Sequence, residues 1–152
     1  MTTALHSLLE QAERHRDEAH AALLQGEDGA RRARQQMDQL QTYHAEYAAR
    51  TPTQRGRATS IDELRSHHAF MQRLDQAVAQ QQGLLQAAEA RVAQQRLLLL
   101  QRETRVASVR KLLQRRQAEA QRGALRQEQL RSDEAAAQRH WHDSAQRRAP
   151  SH

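Results

Sequence analysis

Nine histidines and 18 carboxylates make metal binding the first chemistry to weigh. A helical metal site needs imidazoles one turn apart on one face, as in His-x-x-x-His, closed by a further ligand. No two histidines have that spacing, and His140-Trp-His142 sets its imidazoles on different faces of a helix. Cysteine is absent, so thiolate sites and disulfides are excluded. There is no Gly-rich phosphate loop, no G-x-S-x-G, and no apolar surround to desolvate a catalytic carboxylate. The expectation is a protein with no catalytic site, no cofactor and no small-molecule substrate.

Two sets of residues can still bind a macromolecule. The first is basic. Residues 1–103 balance 13 Arg against 13 acids, whereas residues 104–152 hold 11 Lys or Arg against five acids. Within that segment Arg105, Arg110, Arg115, Arg116, Arg122 and Arg126 surround a helix instead of lining one side. A duplex reader would present a one-sided stripe, and a single-strand reader would interleave aromatics. An acidic protein partner is therefore preferred, with a structural or nucleic-acid-associated basic coiled coil as the alternative. The second set is aromatic. The chain has one Phe and two Tyr, and Tyr43, Tyr47 and Phe70 converge beside a single bend. Gln36, Leu40, Leu74, Ala77 and Gln81 flank them. A Tyr and a Phe at helix positions that are usually polar point to a protein-binding patch.

The elements that position these sets are two helices. The break runs over Arg50-Thr-Pro-Thr-Gln-Arg-Gly-Arg-Ala-Thr-Ser60, where Pro52 disfavours helix at Thr51 and Gly56 relaxes the backbone. Ser60-Ile-Asp-Glu63 has the form of a capping box that starts the second helix. Both arms carry an unbroken heptad, with Leu5, Leu9, Ala12, Ala19, Leu23, Met37 and Leu40 in the first and Leu64, Met71, Leu74, Val78, Leu85, Val92 and Val106 in the second. Sustained spacings of three and four mean a narrow coiled-coil seam. The heptad passes through Gly26-Glu-Asp-Gly29 unshifted, so the first helix should be continuous there.

Folding the arms antiparallel about a point between Arg55 and Gly56 sets small residues against large ones. Ala12 then faces Leu99, Ala19 faces Val92, Gly26 faces Leu85, Ala33 faces Val78 and Met37 faces Leu74. The same register pairs Arg16 with Gln95 and His44 with His67 in the seam. On the flanks it pairs Glu13 with Arg96, His20 with Glu89 and Arg34 with Asp75. Leu5 faces Val106, and beyond that point the second helix projects alone. The expected fold is all-α: an elongated antiparallel two-helix coiled-coil hairpin with a C-terminal single-helix overhang. It forms one unit over residues 1–152, with helix one about 3–50, the bend 51–59, helix two about 60–143 and a frayed tail over 144–152.

Composition agrees with a rod and argues against a globular domain. Ala and Gln together dominate, with 27 and 23 copies, and aromatic residues make up only 3%. Such a chain has little to bury in a compact core. Its N-terminus lacks the basic and apolar tandem of a signal peptide, and its longest apolar run, Leu97 to Leu100, is too short to span a bilayer. A cytoplasmic protein is expected.

The stretches Leu40-Gln-Thr-Tyr-His-Ala-Glu-Tyr47 and Phe70-Met-Gln-Arg-Leu-Asp-Gln-Ala77 resemble the flagellar FliJ family, small proteins of the flagellar type III export apparatus. The most specific parts are Tyr-x-x-x-Tyr before the bend and Phe-x-x-x-Leu-x-x-Ala after it. The resemblance implies a non-enzymatic, stalk-like coiled coil that links the hexameric export ATPase to the cytoplasmic domain of the export gate. It implies a cytoplasmic protein held peripherally at the inner-membrane export apparatus, with export chaperones as further partners. By the same resemblance, the gate-contacting stripe is Gln36, Leu40, Tyr43, Tyr47, Phe70, Leu74, Ala77 and Gln81. The basic overhang would meet the ATPase ring.

Overall fold

Long runs of Ala, Gln, Arg, Leu and Glu favour helix at nearly every position, and only the bend interrupts them. The computed structural model describes residues 2–50 and 60–148. It contains two helices, α1 (Thr2–Ala49) and α2 (Ile61–Arg147). They form an antiparallel helical hairpin. α1 runs unbroken through Gly26 and Gly29, as the continuous heptad predicts. At the start of α2 the Glu63 amide donates to Ser60 Oγ at 3.1 Å, and Asp62 and Glu63 occupy the first turn. Ser60 thus satisfies an otherwise orphan amide, and the two carboxylates face the positive end of the helix dipole. Pro52 and Gly56 lie outside the described residues, as do Ala149–His152.

The chain divides into two compact units. The larger, Ala12–Thr104, contains most of the hairpin. Its seam buries Ala12, Ala19, Leu23 and Met37 from α1 against Leu74, Leu85 and Val92 from α2. Gln81 is buried among them. Large side chains on α2 pack against small ones on α1, which lets the two helices approach closely. The smaller unit joins Met1–Gln11 with Arg105–His152. There Val106, Val109 and Leu113 are buried, and Leu5, Leu8 and Leu9 are half-buried. Beyond Leu113 no described residue is buried.

The register differs from the one expected. Gly26 packs against Gln95, the Ala33 carbonyl accepts a hydrogen bond from Gln81, and Arg34 pairs with Glu89. Glu27, not Glu13, pairs with Arg96. These partners lie three to fourteen residues further along α2 than the facing scheme above sets out, and a slide of one heptad accommodates all of them. Sliding by a whole heptad keeps seam on seam and flank on flank, so the apolar pattern barely distinguishes the two alignments. The observed one buries Val109 and Leu113, which the expected one leaves facing the end of the first arm or beyond it.

The expected histidine layer is absent as a consequence. His44 Nε2 is 2.6 Å from Asp75 Oδ1, and His67 stacks on Tyr47 with ring centroids 5.3 Å apart and planes 8° from parallel. The proposed Arg16–Gln95 pair is also replaced, because Arg16 binds Asp17.

Cysteine crosslinking tests the register. Ala30 and Ala88 line one recess, so Ala30→Cys with Ala88→Cys should oxidise readily to an intramolecular disulfide. Ala33→Cys with Val78→Cys should stay reduced under the same conditions, as followed by non-reducing electrophoresis.

Candidate partner-binding surfaces

The aromatic set does converge. Tyr47 and Phe70 have ring centroids 4.2 Å apart, Tyr43 meets Phe70 edge-on at 6.3 Å, and Tyr43 lies 6.2 Å from Tyr47. Tyr43 and Tyr47 are brought together by one turn of α1, and Phe70 arrives from the first turns of α2. Contacts of this geometry stabilise by about 0.5–1.5 kcal/mol beyond area burial. The cluster is incompletely covered: Tyr43 is 47% exposed, and Tyr47 and Phe70 are half-buried. Capped by the His67 ring on Tyr47, it forms a rigid, partly open aromatic surface.

The rest of the expected stripe splits by depth. Leu74 and Gln81 are buried in the seam, Leu40 and Ala77 are half-buried, and Gln36 is exposed. Gln81 holds its place with two hydrogen bonds from Nε2, to the Ala33 carbonyl at 3.1 Å and to Gln36 Oε1 at 3.3 Å. Its polarity is thereby satisfied inside the seam. Gln36, Gln39, Leu40, Tyr43 and Gln81 line a shallow recess of about 560 Å³. Tyr43 belongs to both this recess and the aromatic cluster, so Gln36, Leu40, Tyr43, Tyr47, Phe70 and Gln81 adjoin one another, while Leu74 is buried and Ala77 half-buried on α2 between Phe70 and Gln81.

The basic set stays exposed. Arg105, Arg110, Arg115, Arg116, Arg122 and Arg126 are all on the surface of α2. Arg122 Nε donates to the Ala118 carbonyl at 3.4 Å, so its side chain lies along its own helix. Among the described residues no group of three His, Cys, Asp or Glu could hold a metal ion. No helix among them is long and apolar enough to cross a membrane.

Inspection of the apolar heptad alone misses a further feature. Leu84 and Leu98 are 57% and 41% exposed, yet they recur at one heptad position of α2 with Arg91 midway between them. A count of flank positions, not seam positions, would have found it.

Comparison with known proteins settles the broad class. The family model described as Flagellar FliJ protein matches residues 1–145. The chain belongs to the FliJ family. No curated protein and no solved structure gives a significant match. Membership makes this FliJ protein a component of the flagellar export apparatus, and the family is a non-catalytic one.

Proposed function

We propose that this FliJ protein is a cytoplasmic, stalk-like adaptor that couples the export ATPase hexamer to the cytoplasmic domain of the export gate, held peripherally at the inner membrane. The observation that carries this reading is the half-open cluster of Tyr43, Tyr47 and Phe70, where three aromatic rings from both helices meet beside the bend. Aromatic side chains that are rigid, preorganised and only partly covered are what binding hot spots are made of. They supply the gate contact, together with Gln36, Leu40, Ala77 and the seam residues Leu74 and Gln81 beneath them. The ATPase contact falls to the basic part of α2. Its six exposed Arg side chains surround the helix, which suits a partner that encloses it and not a duplex that touches one side. Export chaperones are further partners in this reading, without assigned residues.

Truncation tests the division of labour. Removing residues 118–152 leaves Leu113 and every other buried residue in place. The truncated chain should melt within a few degrees of the full one by circular dichroism and keep its affinity for the gate domain. Stimulation of the ATPase should be lost. A large fall in melting temperature would mean that the distal helix packs on something in solution, and intact stimulation would confine the ATPase contact to Arg105, Arg110, Arg115 and Arg116, which the truncation retains. Duplex DNA serves as the control ligand, and salt-resistant binding to it would support the nucleic-acid alternative.

A further inference from the structure

Within the unit Ala12–Thr104, α2 presents Leu84, Arg91 and Leu98 at seven-residue intervals, a repeat of about 10 Å along the helix. Both leucines are exposed and lie outside the seam. Arg91 forms no ion pair with any described residue. On the facing flank of α1 the matching positions are Ala22 and Gly29, so the surface dips where the leucines rise. The dip is a recess of about 330 Å³ that Gly29, Ala30, Ala88, Arg91 and Gln95 help to line. A β-carbon on Gly29 would meet nothing within 4 Å. Beneath the recess Gln95 Oε1 is buried against Gly26, so it helps to pack the two helices.

We infer that this flank docks an acidic amphipathic helix of a partner protein as a third strand on the hairpin. Each feature specifies part of the occupant. Exposed leucines a heptad apart from a central arginine match a helix with apolar residues at coiled-coil spacing. The recess accepts one large side chain between Leu84 and Leu98. Arg91 requires a carboxylate. A second copy of this chain fits poorly, because pairing the same flank with itself antiparallel about its centre brings two Arg91 guanidinium groups together. Nucleic acid fits poorly too, since the single cation sits between two leucines. The site continues the seven-residue line of Phe70 and Ala77, so it adjoins the proposed gate contact but does not use Tyr43.

The test uses the full chain and a synthetic 28-residue helical peptide with Leu at a and d and Glu at e and g. Fluorescence anisotropy is measured below the concentration at which the peptide self-associates. Two comparison peptides are a Lys-for-Glu twin and a scrambled version of the same composition with no heptad. The Glu peptide should bind while both comparisons do not. Leu84→Gln with Leu98→Gln should weaken binding at least about tenfold. Gly29→Leu places a side chain in the recess from a β-carbon that meets nothing within 4 Å and should weaken binding similarly, with the fold checked by circular dichroism, whereas Tyr43→Ala should leave it unaltered. Arg91→Glu should transfer preference to the Lys twin. Equal binding of the scrambled peptide would reduce the effect to charge attraction and overturn the site. So would binding that survives both the double-leucine and the Gly29→Leu variants. Sedimentation showing a dimer that the double-leucine variant dissociates would assign the flank to self-association instead.

Discussion

Tyr43→Ala should lower affinity for the proposed partner, the export-gate domain, by at least about 30-fold, the equivalent of about 2 kcal/mol, while the hairpin should melt within a few degrees of the unaltered protein. The separation follows from exposure. Tyr43 is 47% exposed and touches Tyr47 and Phe70 only at centroid distances above 6 Å, so removing its ring takes little from folding. Phe70 is different, because its ring lies 4.2 Å from that of Tyr47 and joins the two helices. Phe70→Ala should therefore lower both the melting temperature and the affinity. Titration calorimetry with the gate domain, with the fold monitored by circular dichroism, distinguishes the two variants. Unaltered affinity in Tyr43→Ala would show that the aromatic cluster only pads the seam.

Leu85→Ala should cost about 2–5 kcal/mol of stability and lower the melting temperature by about 5–20 °C. Leu85 is 2% exposed, and the one-heptad slide sets it opposite Ala33, whose methyl group cannot fill the gap. Gln81→Leu makes the contrast. It deletes the hydrogen bonds to Ala33 and Gln36 but replaces them with apolar packing, so its net effect on melting should be small. Its effect on alignment should be larger, because a satisfied polar residue in a coiled-coil seam favours the one register that satisfies it. The Ala30→Cys with Ala88→Cys pair should crosslink less completely in the Gln81→Leu background. A Leu85→Ala variant that melts normally would mean the seam is not where Leu85 lies.

Ion pairs contribute less than either seam residue. Arg34–Glu89 at 3.1 Å and Arg96–Glu27 at 3.6 Å join the two helices, but all four side chains are at least a third exposed or close to it. Such pairs contribute about 0.2–1 kcal/mol each. They therefore act on which alignment forms more than on whether the hairpin forms.

By itself the sequence determined the two helices, the cap at Ser60, the continuity through Gly26 and Gly29, the antiparallel hairpin and the convergence of Tyr43, Tyr47 and Phe70. All of these are local or periodic: helix propensity, an N-cap, a seven-residue repeat, and aromatics that stay beside the bend in either alignment. The register was decided only by tertiary structure. A heptad repeat is its own near copy after seven residues, so small-against-large matching scores almost equally in neighbouring alignments. The choice rests on contacts at specific sites, namely the Gln95 amide over Gly26, Gln81 on the Ala33 carbonyl, and Val109 and Leu113 buried near the start of α1. For the same reason His44 met Asp75 and not His67, since a one-heptad slide exchanges every named partner while leaving the pattern of polar and apolar layers intact.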